Sequence, residues 1–135
     1  MSQNHKAIAA TAIGVIEEIT VPTRKPNPDE VLIRVDYAAT VPYDAYQVDR
    51  GLHIQEYPQV LGSSVTGKVV EVGRDVRDLK VGDRVRRIFS FLILFCLLNL
   101  YLFIKVAALT FGDSTSRALQ EYVLCPWFFI GKVNE

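Results

Sequence analysis

The segment Glu30-Val31-Leu32-Ile33-Arg34-Val35-Asp36 constrains the fold more than any other part of this 135-residue chain. Val31, Ile33 and Val35 fall on one side of an extended backbone, with Leu32, Arg34 and Asp36 on the other. A two-residue rhythm of this kind predicts a half-buried β-strand. Lys68-Val69-Val70-Glu71-Val72 repeats the rhythm with more valine, and β-branched side chains disfavour a helix there. Proline and glycine divide the rest. Residues 6–20, rich in Ala, Ile and Val, predict two short strands joined near Gly14, where glycine relaxes a tight reversal. Pro22, Pro26 and Pro28 each remove an amide donor, so the chain around them reads as an extended loop. Pro42 suits the first turn of a helix and Gly51 its end, which predicts a short helix between them. Val81-Gly82-Asp83 marks a turn before a further strand, and residues 118–126 read as a last strand closed by Pro126. The sum predicts a mainly β domain with short helices, partly barrel-like.

The length suits one domain with a real core. Fifteen basic and fifteen acidic side chains cancel and form no block of one sign, so no field draws this chain to nucleic acid or to an acidic membrane surface. Cys96 and Cys125 lie far apart and form no C-x-x-C pair, which argues against a disulfide framework and a cysteine zinc site. A reduced, cytoplasmic setting fits them, and residues 1–18 lack the long apolar core of a secretory signal. His5 is expected to fray with the terminus. Cys125 reads as a strand-end core residue. His53, in a loop, is either simply solvated or a proton donor.

Gly62, Gly67 and Lys68 imitate a phosphate-binding loop, G-x-x-x-x-G-K-[ST], but the chemistry is absent. Position 69 is Val69, without the hydroxyl that holds magnesium. The residues that follow alternate and are β-branched, so no helix N-terminus faces the loop. The two glycines read as turn residues in front of a core strand.

Three stretches together are similar to a known family: residues 30–51, residues 58–85 with P-x-V-L-G-x-x-x-x-G-x-V-V-E-V-G followed by V-G-D-R-V, and residues 118–126. They resemble the N-terminal, GroES-like domain of medium-chain dehydrogenase/reductases. The resemblance implies a GroES-like partial barrel over residues 1–135 and a catalytic role. Zinc-dependent members carry a cysteine in a C-G-x-D segment and a His-Glu pair after L-G. Here those positions hold Val41, Ser63 and Ser64, which will not hold zinc, so no metal site is expected. The pattern is closer to zinc-free quinone oxidoreductases and enoyl reductases, including those that work beside polyketide synthases. Many of these read N-P-x-D with a tyrosine two residues on; this chain keeps Pro42, Asp44 and Tyr46 but has Val41 for the asparagine. By that resemblance Val41, Pro42, Tyr43 and Asp44 line an NADPH site, and Tyr46 hydrogen-bonds a substrate carbonyl or enolate. From the residues alone, Pro42 and Asp44 are equally a helix start and Tyr46 an ordinary core aromatic.

Two departures limit the comparison. No G-x-G-x-x-G occurs, so the resemblance implies a first domain without its Rossmann partner, truncated and inactive alone. The parent chemistry would be hydride transfer from NADPH to a conjugated enone, an enoyl thioester or a quinone. About twenty-five residues, 86–110, also interrupt the family pattern. Within them, residues 88–104 are nearly all Leu, Phe and Ile, flanked by Arg86, Arg87 and Lys105. This run is a short membrane anchor, an apolar element that packs on the domain or pairs it with a homo- or hetero-oligomeric partner, or translated intron sequence. The Phe-, Leu-, Ile- and Asn-rich composition matches what T- and A-rich DNA encodes and favours the third, so membrane association is not favoured. Two non-enzymatic alternatives stand beside the reductase: a regulatory module pairing with a full-length relative, and a small membrane-attached protein.

Overall fold

The computed structural model describes residues 4–87 and 117–133. Eight strands and one α-helix follow in the order β1 (Asn4–Ala12), β2 (Val15–Pro22), β3 (Glu30–Ala39), α1 (Pro42–Arg50), β4 (Gln59–Val60), β5 (Ser64–Val72), β6 (Arg84–Arg87), β7 (Tyr122–Pro126) and β8 (Gly131–Lys132). They form a three-stranded sheet, β2-β1-β4, and a five-stranded sheet, β7-β3-β5-β6-β8. All the strand pairs are antiparallel.

The short segment before β7 joins the sheets. Ile8 and Leu119 share a hydrogen bond of 2.8 Å, Glu121 donates to Lys6 at 3.0 Å, and Val35 donates to Glu121 at 2.9 Å. One stretch of backbone thus satisfies donors and acceptors on β1 and β3 together, which closes part of a barrel and leaves fewer free edges. This is the partly barrel-like domain that the alternating strands and turn residues predict, and the partial barrel that the family resemblance implies.

The paired strands form because their apolar faces have something to cover. Val31 and Ile33 of β3, Val69 of β5, Val85 of β6 and Cys125 of β7 make the main core, with Trp127 and Phe129 packed on it. Leu32, on the other face of β3, is also buried. It lines a cavity of about 180 Å³ together with His5, Val60 and Leu124. Strand β3 therefore does not stay half-solvated along its length. Bulges at Leu32/Ile33 and Val35/Tyr37 shift its register against β5, and both faces are covered at its start.

Two expectations change. Strand β5 begins at Ser64, not Lys68, because Ala39 and Ala38 pair with Ser64 and Val65. Cross-strand partners override the local turn signal of Gly62-Ser63-Ser64. His5 does not fray. Its ring is buried, with Nδ1 2.7 Å from Thr23 Oγ1 and Nε2 3.1 Å from Gln120 Oε1. The Tyr122 ring meets it edge-on at 5.6 Å. The apolar run 88–104 and the proposed insertion 86–110 fall, apart from Arg86 and Arg87, outside the described residues. Among those residues no helix is long and apolar enough to cross a membrane.

Candidate functional site

Helix α1 organises the site because its two stripes differ. Asp44, Gln47 and Val48 are spaced i, i+3, i+4 and are buried, so they turn this side of the helix to the barrel. Tyr43, Tyr46 and Arg50 follow the opposite spacing. Tyr43 is half-buried, Tyr46 is 50 % exposed, and the Arg50 guanidinium lies 5.7 Å over the Tyr46 ring. Tyr46 is therefore not a core aromatic. Pro42 opens the helix, and Gly51 closes it in the left-handed region at φ 63°.

The buried stripe ends in a network of charges. The Asp44 carboxylate accepts from Val41 N at 2.8 Å, Gly62 N at 3.2 Å, Ser63 Oγ at 3.1 Å and Arg117 Nη2 at 3.3 Å. A carboxylate in the first helical turn also suits the positive end of the helix dipole. Arg117 is 2 % exposed. It donates through Nε to Val60 O at 3.2 Å and through Nη2 to Gln47 Oε1. Burial pulls the Arg117 guanidinium below its ordinary range, while the Asp44 carboxylate pushes it back up. The pair thus clamps α1 to the loop that carries Gly62 and Ser63. Gly62, at φ 91°, has no room for a Cβ between Leu119 and Ala118.

The exposed stripe carries one further contact. Tyr43 Oη is 2.7 Å from His53 Nδ1, and the two rings stack at 6.0 Å with 29° between their planes. His53 holds a left-handed backbone at φ 56°. Burial raises the Tyr43 phenol above its ordinary value; Arg117 lowers it and Asp44 raises it further.

The structure brings Val41, Pro42, Tyr43, Asp44 and Tyr46 onto one helix end but gives them unlike surroundings. Tyr43 and Tyr46 share the outer stripe, and Pro42 is exposed beside them. Val41 offers no free amide, since its N–H is bonded to Asp44. The Asp44 carboxylate is turned inward and engaged by the donors above. Among the described residues no three of His, Cys, Asp or Glu come together as a metal would need. Arg117 and Gln47 went unrecognised in the sequence, because Arg117 lies 73 residues from Asp44 and 70 from Gln47.

A sequence model of the alcohol dehydrogenase GroES-like domain matches residues 27–135. The chain belongs to this family. Its members include a curated relative from Nicotiana tabacum, probable cinnamyl alcohol dehydrogenase 2, 42 % identical over 72 residues, which cover 53 % of this chain and 20 % of the relative. The acryloyl-coenzyme A reductase of Sulfurisphaera tokodaii is 43 % identical over 65 residues, covering 48 % of this chain and 20 % of its own length. The chain thus spans about a fifth of the curated relatives that it matches. Among solved structures, the quinone oxidoreductase from Coxiella burnetii superposes with a TM-score of 0.72 at 22 % identity, over 98 % of this chain and 38 % of the other. That likeness shows a shared fold.

Proposed function

We propose that this chain is the substrate-side domain of a zinc-free, NADPH-dependent medium-chain reductase acting on a conjugated enone, an enoyl thioester or a quinone. The observation that carries the reading is the outer stripe of α1. It presents two phenols, Tyr43 and Tyr46, one helical turn apart on a helix end clamped from behind by Asp44 and Arg117. Phenols are neutral donors suited to developing oxyanion charge. The relative named for acryloyl-coenzyme A reduction supports an activated alkene as the class of substrate.

The residues present fit a dinucleotide in part. Pro42, Tyr43 and Tyr46 offer accessible ring surface for one wall, and Asp44 acts only by holding that wall in place. When bound, NADPH supplies the hydride. The donor set does not fit zinc: Val41 has no ligand atom, and Ser63 is buried with its hydroxyl directed to Asp44. Within the site Tyr46 donates to the substrate oxygen and steadies its charge, while the clamp keeps the phenol at a fixed height above the barrel. The setting is cytoplasmic.

Titration of the chain with 2-cyclohexenone tests this role. Changing Tyr46→Phe is expected to raise the dissociation constant about 2- to 10-fold, the worth of one neutral hydrogen bond. Equal affinity in the variant would remove Tyr46 from the substrate.

A further inference from the structure

We propose that Tyr43 and His53 form a proton-delivery pair, with Tyr43 the group that protonates the substrate α-carbon; this rests on the reading of the site just given. Three observations point to it. Tyr43 Oη and His53 Nδ1 are 2.7 Å apart, within the range of a short, direct hydrogen bond. Their rings stack, which fixes the geometry instead of leaving a long side chain to wander. The two differ in exposure, Tyr43 half-buried and His53 exposed, so the pair stands on the outer stripe with its histidine end open to solvent. Histidine is also among the few residues that tolerate the left-handed backbone found at position 53.

The spacing to Tyr46 suits a division of labour. Residues three apart on a helix have Cβ atoms about 5–6 Å apart, so one phenol reaches a carbonyl oxygen while the other reaches the neighbouring carbon. Hydride addition at the β-carbon reduces the substrate and leaves an enolate, whose oxygen accepts from Tyr46. A C–H bond forms at the α-carbon as the Tyr43 O–H breaks. The phenolate oxygen takes the proton from Nδ1 of the His53 imidazolium, and the neutral imidazole is recharged by water. The hydride would come from the reduced nicotinamide, which is thereby oxidised, and the proton from solvent through His53 and Tyr43, so one hydride and one proton are consumed. Burial raises the Tyr43 phenol above its ordinary value, with Arg117 and Asp44 opposing each other beneath it, so the phenol rests as the neutral acid that has a proton to give.

The reverse half of this step needs no dinucleotide and can be followed on the chain itself. In deuterium oxide the pair should exchange the α-protons of cyclohexanone, read by proton NMR, faster than buffer does. Tyr43→Phe is expected to lower the catalysed rate about 100-fold. His53→Gly, which keeps the backbone conformation, should lose a comparable factor, and added imidazole should restore His53→Gly but not Tyr43→Phe. A second readout is the ring nitrogen shifts of His53: Nδ1 should carry the signature of a hydrogen bond to the phenol, lost in Tyr43→Phe. Exchange at the wild-type rate in both variants, or unchanged His53 shifts, would overturn the pair and leave the reading of the site standing. No exchange above buffer in the wild type would overturn both.

Discussion

Replacing Asp44 by alanine is expected to destabilise the domain by about 3–5 kcal/mol, because it removes the carboxylate that faces the buried Arg117 charge in a site from which water is excluded. Arg117 is 2 % exposed and Asp44 4 %. Loss of the carboxylate also orphans the amides of Val41 and Gly62, the first at the start of α1 and the second in the loop facing it. Urea unfolding reads the effect as a lower midpoint at unchanged slope. Arg117→Met should cost less than Asp44→Ala, since the carboxylate keeps three donors. The double change Asp44→Leu with Arg117→Met should recover much of the loss, because a buried ion pair replaced whole by apolar groups is often close to neutral. A cost for Asp44→Ala below about 1 kcal/mol, the level of an exposed pair, would mean that the clamp does not hold α1.

The second large effect is at Gly67. It stands opposite Val35 in the β3–β5 pair, beside the bulge. A Cβ there would fall on the carbonyl oxygen of Arg34, with the Ile33 side chain 2.9 Å away. Backbone cannot yield as a flexible side chain does, so Gly67→Ala is expected to cost about 3 kcal/mol. The damage should concentrate in β3 and β5 when amide exchange is followed by residue, since that is where the strands must part. Protection unchanged in both strands would show that the close approach is not needed.

Gly67 also shows how far the sequence can be read. Its place in a G-x-x-x-x-G-K run reads as a turn, yet it lies inside β5, and only the strand opposite explains why no side chain fits there. The alternation in residues 31–36 and 68–72 and the Pro42-to-Gly51 frame were legible because strands and helices announce themselves within a few residues. The clamp was not. Asp44 looked like a helix start, which it is, but its buried partner lies 73 residues further on. His5 was illegible for the same reason, since Gln120 is 115 residues away. Of the site, the helix and its tyrosines could be placed from the sequence; the inward turn of Asp44 and the contact between Tyr43 and His53 required the fold.

The measurement that bears most directly on the central claim is a titration of the isotopically labelled chain with NADPH in zinc-free buffer, followed by backbone amide shifts. On the proposed reading the outer stripe of α1 forms one wall of the site, so shifts should appear at Tyr43 through Tyr46 and at the Tyr43–His53 contact, and a metal chelator should leave them unchanged. Shifts confined to another surface, or shifts at α1 that vanish on chelation, would contradict a zinc-free nicotinamide site on this helix.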